Sequence, residues 1–264
     1  MSQTEQKVIL VTGVSRGIGK SIVDTLFSLD KNVIVYGIAR SEAPLKALKD
    51  TYGDRFFYTV GDITNDDTLK KYVNSAIEGH GKINSLIANA GVLEPVQNIN
   101  NIDVNAWKQL YNINFFSIVS LVDIALPHLK KTHGSALFVS SDASDTYFSS
   151  WGAYGSSKAA LNHFAMTLAN EEKAVRALAV APGIVDTDMQ VNIRENLGPQ
   201  GMSQEHLEMF RDLKKDNKLL HSSIPATVYS KLALKGIPEE INGQYLSFDA
   251  EVLKEFQHQV SLNQ

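Results

Sequence analysis

Short apolar runs alternate with amphipathic ones along this chain. VILVT (residues 8–12) and SALFV (135–139) carry almost no polar residue to mark a solvated face. Such runs predict strands covered on both sides. Seven strands are expected at Lys7–Thr12, Asn32–Gly37, Arg55–Val60, Ser85–Ala88, Ser135–Ser140, Val175–Ala181 and Tyr245–Phe248. Between them, helical patterns fall near Gly17–Leu29, Glu42–Thr51, Asp66–His80, Val104–Lys131, Ala153–Glu172 and Ile224–Leu234. This alternation predicts an α/β fold, a doubly wound parallel seven-stranded sheet with helices on both faces. Residues 186–223 break the rhythm. They are polar, contain Gly198, Pro199 and Gly201, and predict an irregular insertion or lid over a site.

Composition narrows the chemistry. The chain has 264 residues, 44% apolar and 20% charged, with 25 basic against 29 acidic side chains and a net charge of −4. That balance offers no global attraction to nucleic acid or to an anionic membrane. Cysteine is absent, which removes disulfides, thiol nucleophiles and thiolate metal sites. The polar start MSQTEQK and the end SLNQ carry no targeting signal, so a cytoplasmic location is expected. Seven histidines (His80, His128, His133, His163, His206, His221 and His258) form no metal-ligand spacing, and no metal is expected.

The first strand runs into TGVSRGIG, with glycines at 13, 17 and 19 and a helix starting inside the turn. Backbone amides there can approach a pyrophosphate, and the helix amino terminus favours negative charge. The spacing is Gly-x3-Gly-x-Gly rather than the commoner Gly-x-Gly-x2-Gly, and a purely structural turn is the alternative. The second strand is followed by Ala39 and Arg40, where an NAD site places a carboxylate. Arg40, together with Arg16 in the turn, favours the 2′-phosphate of NADP(H) over two merely solvated arginines.

A second constellation is YGSSK, which sets Tyr154 and Lys158 one helical turn apart. A phenol with a pKa near 10 is a poor acid or base at neutral pH, and a neighbouring cation draws it down. Ser140 and Ser141 end the fifth strand, and Ser141 stands 13 residues before Tyr154. Ser140 faces the other side of the pleat and is given no catalytic role.

In their order, these motifs resemble the short-chain dehydrogenase/reductases over nearly the whole chain. Thr12-Gly13-x3-Gly17-Ile18-Gly19 is similar to the family's cofactor turn, and Asp62 in GDIT to its adenine-binding aspartate. Ala88-Asn89-Ala90-Gly91 resembles its NNAG motif, with alanine for the first asparagine. Asn114, Ser141, Tyr154 and Lys158 match its catalytic tetrad, and Pro182-Gly183 followed by Thr187 its nicotinamide segment. The resemblance implies one Rossmann-type domain over residues 1–264, transferring hydride between NADP(H) and a carbonyl. Tyr154 is then the proton donor, Lys158 holds the ribose and lowers the tyrosine, Ser141 polarises the carbonyl, and Asn114 holds a relay water. It further implies Ser15, Arg16, Arg40, Ile63, Asn89, Ala90, Gly91, Gly183, Ile184 and Val185 among the cofactor contacts.

The substrate pocket is expected at the carboxyl ends of the strands, walled by Leu93, Glu94, residues 142–151, Gly183, Ile184, Met189 and the lid. Tyr147, Phe148 and Trp151 favour a bulky or aromatic carbonyl compound, ordinary packing being the alternative. Within the family the chain is similar to benzil and sepiapterin reductases. Two other readings remain: a secondary-alcohol dehydrogenase, and a non-catalytic NADP(H)-binding redox sensor. The long helices Val104–Lys131 and Ala153–Glu172 are apolar on more than one side, and a homodimer or homotetramer is expected, with no nucleic-acid or membrane partner.

Overall fold

Continuous apolar strands are read as buried on two faces, and this is how the chain folds. A computed structural model of the chain describes residues 6–257; His258 and both terminal segments, MSQTE and SLNQ, lie outside the described residues. Strands β1 (Val8–Thr12), β2 (Ile34–Ala39), β3 (Phe56–Val60), β4 (Ser85–Ala88), β5 (Ser135–Val139), β6 (Arg176–Ala181) and β7 (Tyr245–Ser247) form one parallel sheet, ordered β3-β2-β1-β4-β5-β6-β7. Along β1 the pleat splits the apolar run. Ile9 and Val11 pack with α1 (Gly17–Leu29) and α10 (Ser223–Lys235). Val8 and Leu10 pack with α3 (Asp66–His80) and α5 (Ser117–Thr132).

The order reverses between β1 and β4, which opens a crevice beyond their carboxyl ends. Strand β2 runs two residues past its expected end. Gly37 lies inside it, because a Cβ there would meet Val14 and Phe56 at 2.7 and 2.8 Å. Helix α2 spans Glu42–Tyr52, and α3 carries its own start and stop signals. The Asn65 side chain accepts the Thr68 N–H at 2.9 Å, and Gly81 closes α3 in the left-handed region at φ 71°.

Two expectations need correction. The single helix Val104–Lys131 is α4 (Val104–Tyr111), a π-helical turn Asn112–Phe116 and α5, the widened turn shifting the register of the buried stripe. As one run, Val104–Thr132 is long enough to cross a membrane and holds an 18-residue window of mean hydropathy 1.4. Ile118, Leu121, Ala125 and Leu129 instead fill the core beside the sheet. The second correction concerns residues 186–223, which are largely helical rather than irregular. They form α7 (Asp188–Asn192), a π turn Ile193–Leu197, α8 (Gly198–Gly201) and α9 (Gln204–Lys215). Ser203 caps α9, and Leu207 and Phe210 bury its apolar face.

Candidate active site

The glycine turn is pinned to the end of β4. The Thr12 hydroxyl oxygen accepts the Asn89 and Ala90 N–H groups, each at 3.0 Å. The Asn89 amide donates back to the carbonyls of Thr12 (2.9 Å) and Gly13 (3.2 Å). A Cβ on Gly19 would strike the Gly13 carbonyl oxygen and stand 2.5 Å from Asn89 Nδ2, so only glycine allows this approach. Asn89, expected to touch the cofactor, has its side-chain amide committed to shaping the turn. Helix α1 starts at Gly17 without a side-chain cap, which leaves backbone N–H groups aimed into the crevice.

Two arginines flank this end. Arg40 is exposed beside Ala39 and has no polar partner among the described residues. Arg16 also lines the crevice, but its Nη1 pairs with Asp188 on α7 at 2.9 Å. The Asp62 carboxylate accepts the Thr64 N–H (2.9 Å) and hydroxyl (2.8 Å), fixing the turn after β3. Ser15, Ile18, Ile63, Ala90, Pro182, Gly183, Ile184, Val185 and Thr187 all line the same cavity, of about 550 Å³.

Deeper in, α6 (Gly152–Glu171) presents Tyr154 and Lys158 on one face. Lys158 is buried, and its Nζ donates to the Val139 carbonyl at 2.7 Å. Burial pushes its ammonium down to about 8. Burial also pushes the Tyr154 phenol up to about 12, a hydrogen bond with the Ser141 hydroxyl pulls it back, and the Asp142 carboxylate raises it. Lys158, expected from the spacing to lower Tyr154, is not among the groups that set it in the protein alone. Lys158 Nζ stands 5.7 Å from the centre of the Tyr154 ring. The same burial makes its ammonium easier to deprotonate than that of an ordinary lysine.

Ser141 is held from three sides. Its hydroxyl accepts the Ala143 N–H at 3.2 Å, its carbonyl accepts the Tyr245 hydroxyl at 3.1 Å, and its side chain meets Tyr154. Ser140 also borders the cavity, and its hydroxyl is committed to Asn162 on α6, donating at 2.5 Å. Asn114 sits in the π turn beside Gly91 and Lys158. Its amide pairs in both directions with the Val92 backbone, each bond 2.8 Å, and donates to Ser157 at 3.3 Å. It therefore anchors the chain after β4, a task the spacing did not announce.

The far end is aromatic. Trp151 stacks on Phe210 (ring centres 5.4 Å apart, planes at 18°) and meets Tyr154 edge-on at 5.7 Å. Phe148 joins them, and Leu93, Met189 and Ile193 complete the wall. Tyr147 does not contribute: it is 77% exposed and lies over His206 outside the cavity. Phe210 reaches this wall from within the expected lid, where no single aromatic residue is singled out by the sequence. Its signal was the three-residue spacing from Leu207 in the amphipathic segment QEHLEMFRDLKK. Asp142 lines the cavity beside Ser141, and burial, then Asp145 and Asp249, raise its carboxyl. Among the described residues no three histidine or carboxylate side chains are grouped as a metal site would need.

Comparison with known proteins follows the same lines. The family described as short chain dehydrogenase matches residues 7–198. An oxidoreductase of Saccharomyces cerevisiae is 76% identical over 250 residues, covering 95% of this chain and 98% of that protein. A benzil reductase ((S)-benzoin forming) of the same yeast is 50% identical over 256 residues, covering 94% and 97%. A solved short chain dehydrogenase/reductase from S. cerevisiae superposes with a TM-score of 0.95 at 75% identity, covering 96% of this chain and all of that one.

Proposed function

The chain belongs to the short chain dehydrogenases, an oxidoreductase family acting on CH–OH and C=O groups, and from that premise we propose that it is an NADPH-dependent reductase of aromatic ketones and α-dicarbonyls. The observation that carries this reading is the meeting of Ser141, Tyr154 and Lys158 with the Trp151–Phe210 wall in one cavity at the sheet's switch point.

The residues present fit the cofactor. The uncapped start of α1, the space that Gly19 leaves and the unpaired Arg40 suit a dinucleotide with a phosphate on its adenosine ribose. When bound, that cofactor supplies hydride from nicotinamide C4 to the carbonyl carbon. The protein's part is to place and protonate. Ser141 and Tyr154 donate to the substrate oxygen, where negative charge develops. Tyr154 gives up its proton there; burial keeps the phenol protonated at neutral pH but makes it a weaker acid than usual, so positive charge beside it is needed to ease the transfer. Lys158, held by Val139, supplies positive charge behind the phenol. Asn114 keeps residues 91–92 in place, and the aromatic wall excludes water. The reading extends to one domain over residues 1–264 in the cytoplasm, working as a homodimer. Exposed Phe116 and Met166 supply apolar surface for that second copy.

NADPH and NADH oxidation across benzil, sepiapterin, a 3-oxoacyl thioester and a steroid ketone tests the reading, with sedimentation for the dimer. Benzil with NADPH is expected to be the preferred pair, and Tyr154→Phe to lose about 100-fold or more in turnover. Cofactor binding without turnover on any ketone, or near wild-type turnover by the phenylalanine variant, refutes it.

A further inference from the structure

Helix α7 follows Thr187 directly, and its inward face holds two polar residues where apolar ones are expected. Gln190 and Arg194, one turn apart, are 7% and 5% exposed. No carboxylate among the described residues pairs with Arg194. The hydrogen bond that engages it runs from its Nη1 to Gln190 Oε1, at 3.4 Å. A guanidinium has donors and no acceptor, so the amide must turn its oxygen to Arg194 and its NH2 the other way. Gln190 lines the cavity, and its Nε2 has no partner among the described residues.

The position along the helix points this amide at the substrate end. Residues three apart on a helix share a face, and Ile193, three beyond Gln190, packs in the cluster that contains Tyr154, Trp151 and Phe210. The opposite edge of α7 faces the glycine turn, where Asp188 pairs with Arg16. The guanidinium behind the amide polarises it and strengthens its N–H groups as donors. The oxygen being reduced already has Ser141 and Tyr154. A further donor open to the cavity therefore serves a different oxygen.

We infer that Gln190, positioned by Arg194, holds a second carbonyl oxygen of the substrate, next to the one reduced, so that the site is built for vicinal dicarbonyls. The inference rests on the reductase reading above and names the residue that selects dicarbonyls over simple aromatic ketones within it.

Two variants and two substrates test it. Gln190→Glu gives Arg194 a carboxylate, which keeps the buried pair while removing both N–H donors. Gln190→Leu removes the polar group at similar volume. Benzil has two adjacent carbonyls; deoxybenzoin has a methylene in place of one. Both variants are expected to lose about tenfold or more in kcat/KM on benzil, with deoxybenzoin and the KM for NADPH within about twofold of wild type. Equal losses on both ketones, a raised KM for NADPH, or no loss on benzil overturns the role of Gln190 while the reductase reading stands. A wild type that reduces neither ketone overturns both.

Discussion

Lys158→Met should make the protein more stable while abolishing its turnover. The ammonium of Lys158 is buried, and its pKa falls from 10.5 to about 8 in the folded chain. At 1.36 kcal/mol per pKa unit, holding the charged form there costs about 3 kcal/mol at pH 7. Methionine has a similar length and no charge, but it gives up the bond to the Val139 carbonyl, a loss of about 1 kcal/mol. The net expectation is a gain of about 2 kcal/mol at neutral pH. Below about 8 the folded and unfolded chains both carry the proton and the penalty is complete. Between about 8 and 10.5 the folded chain releases it while the unfolded chain keeps it, so wild-type stability rises with pH and the variant's advantage shrinks. Tyr154 acts oppositely. Its folded value of about 12 lies above the ordinary 10, so its contribution is present below pH 10 and lost above it, equally in both proteins. Urea unfolding of the two proteins without cofactor, at matched concentrations and at about pH 7 and 9.5, measures the difference. A variant less stable at pH 7, or an advantage that does not change with pH, refutes the reasoning.

Two further predictions concern the cofactor end. Arg40→Asp removes the unpaired cation beside Ala39 and sets a carboxylate where a ribose hydroxyl can be accepted. The ratio of kcat/KM for NADPH over NADH is expected to fall about 100-fold, and an unchanged ratio assigns the 2′-phosphate elsewhere. Gly19→Ala forces a methyl group against the Gly13 carbonyl and Asn89. A loss of about 1–3 kcal/mol and of NADPH binding is expected from thermal unfolding and fluorescence titration, and unchanged values in both refute the close approach.

What could be read from the sequence is what short-range pattern encodes. The continuous apolar runs of β1 and β5 announce burial on two faces, and the sheet has that form. Ser141, Tyr154 and Lys158 meet because strand end and helix face are set by local periodicity. The misses have a common cause in contacts between distant segments. Gly37 looks like a strand end until Val14 and Phe56 close over it. The π turn at Asn114 departs from the helical repeat by a single residue, which apolar spacing does not mark. Asn89 lines the cavity, but that its side-chain amide is held by the Thr12 and Gly13 carbonyls is a contact the local sequence does not announce. Phe210 belongs to a helix whose charged residues masked its apolar side, whereas Tyr147, adjacent to Phe148, falls on the wrong side of its loop.

The hydroxyl of Tyr245 on the carbonyl of Ser141 joins residues 104 apart in the chain. During synthesis the glycine turn, Tyr154 and Lys158 all emerge long before β7. A nascent chain that has reached only the end of α10 can already enclose much of a dinucleotide site, but the serine carbonyl still lacks its anchor. The edge strand is therefore a completion mark: a chain ended before Tyr245 keeps every recognisable motif while one of the three holds on Ser141 is missing.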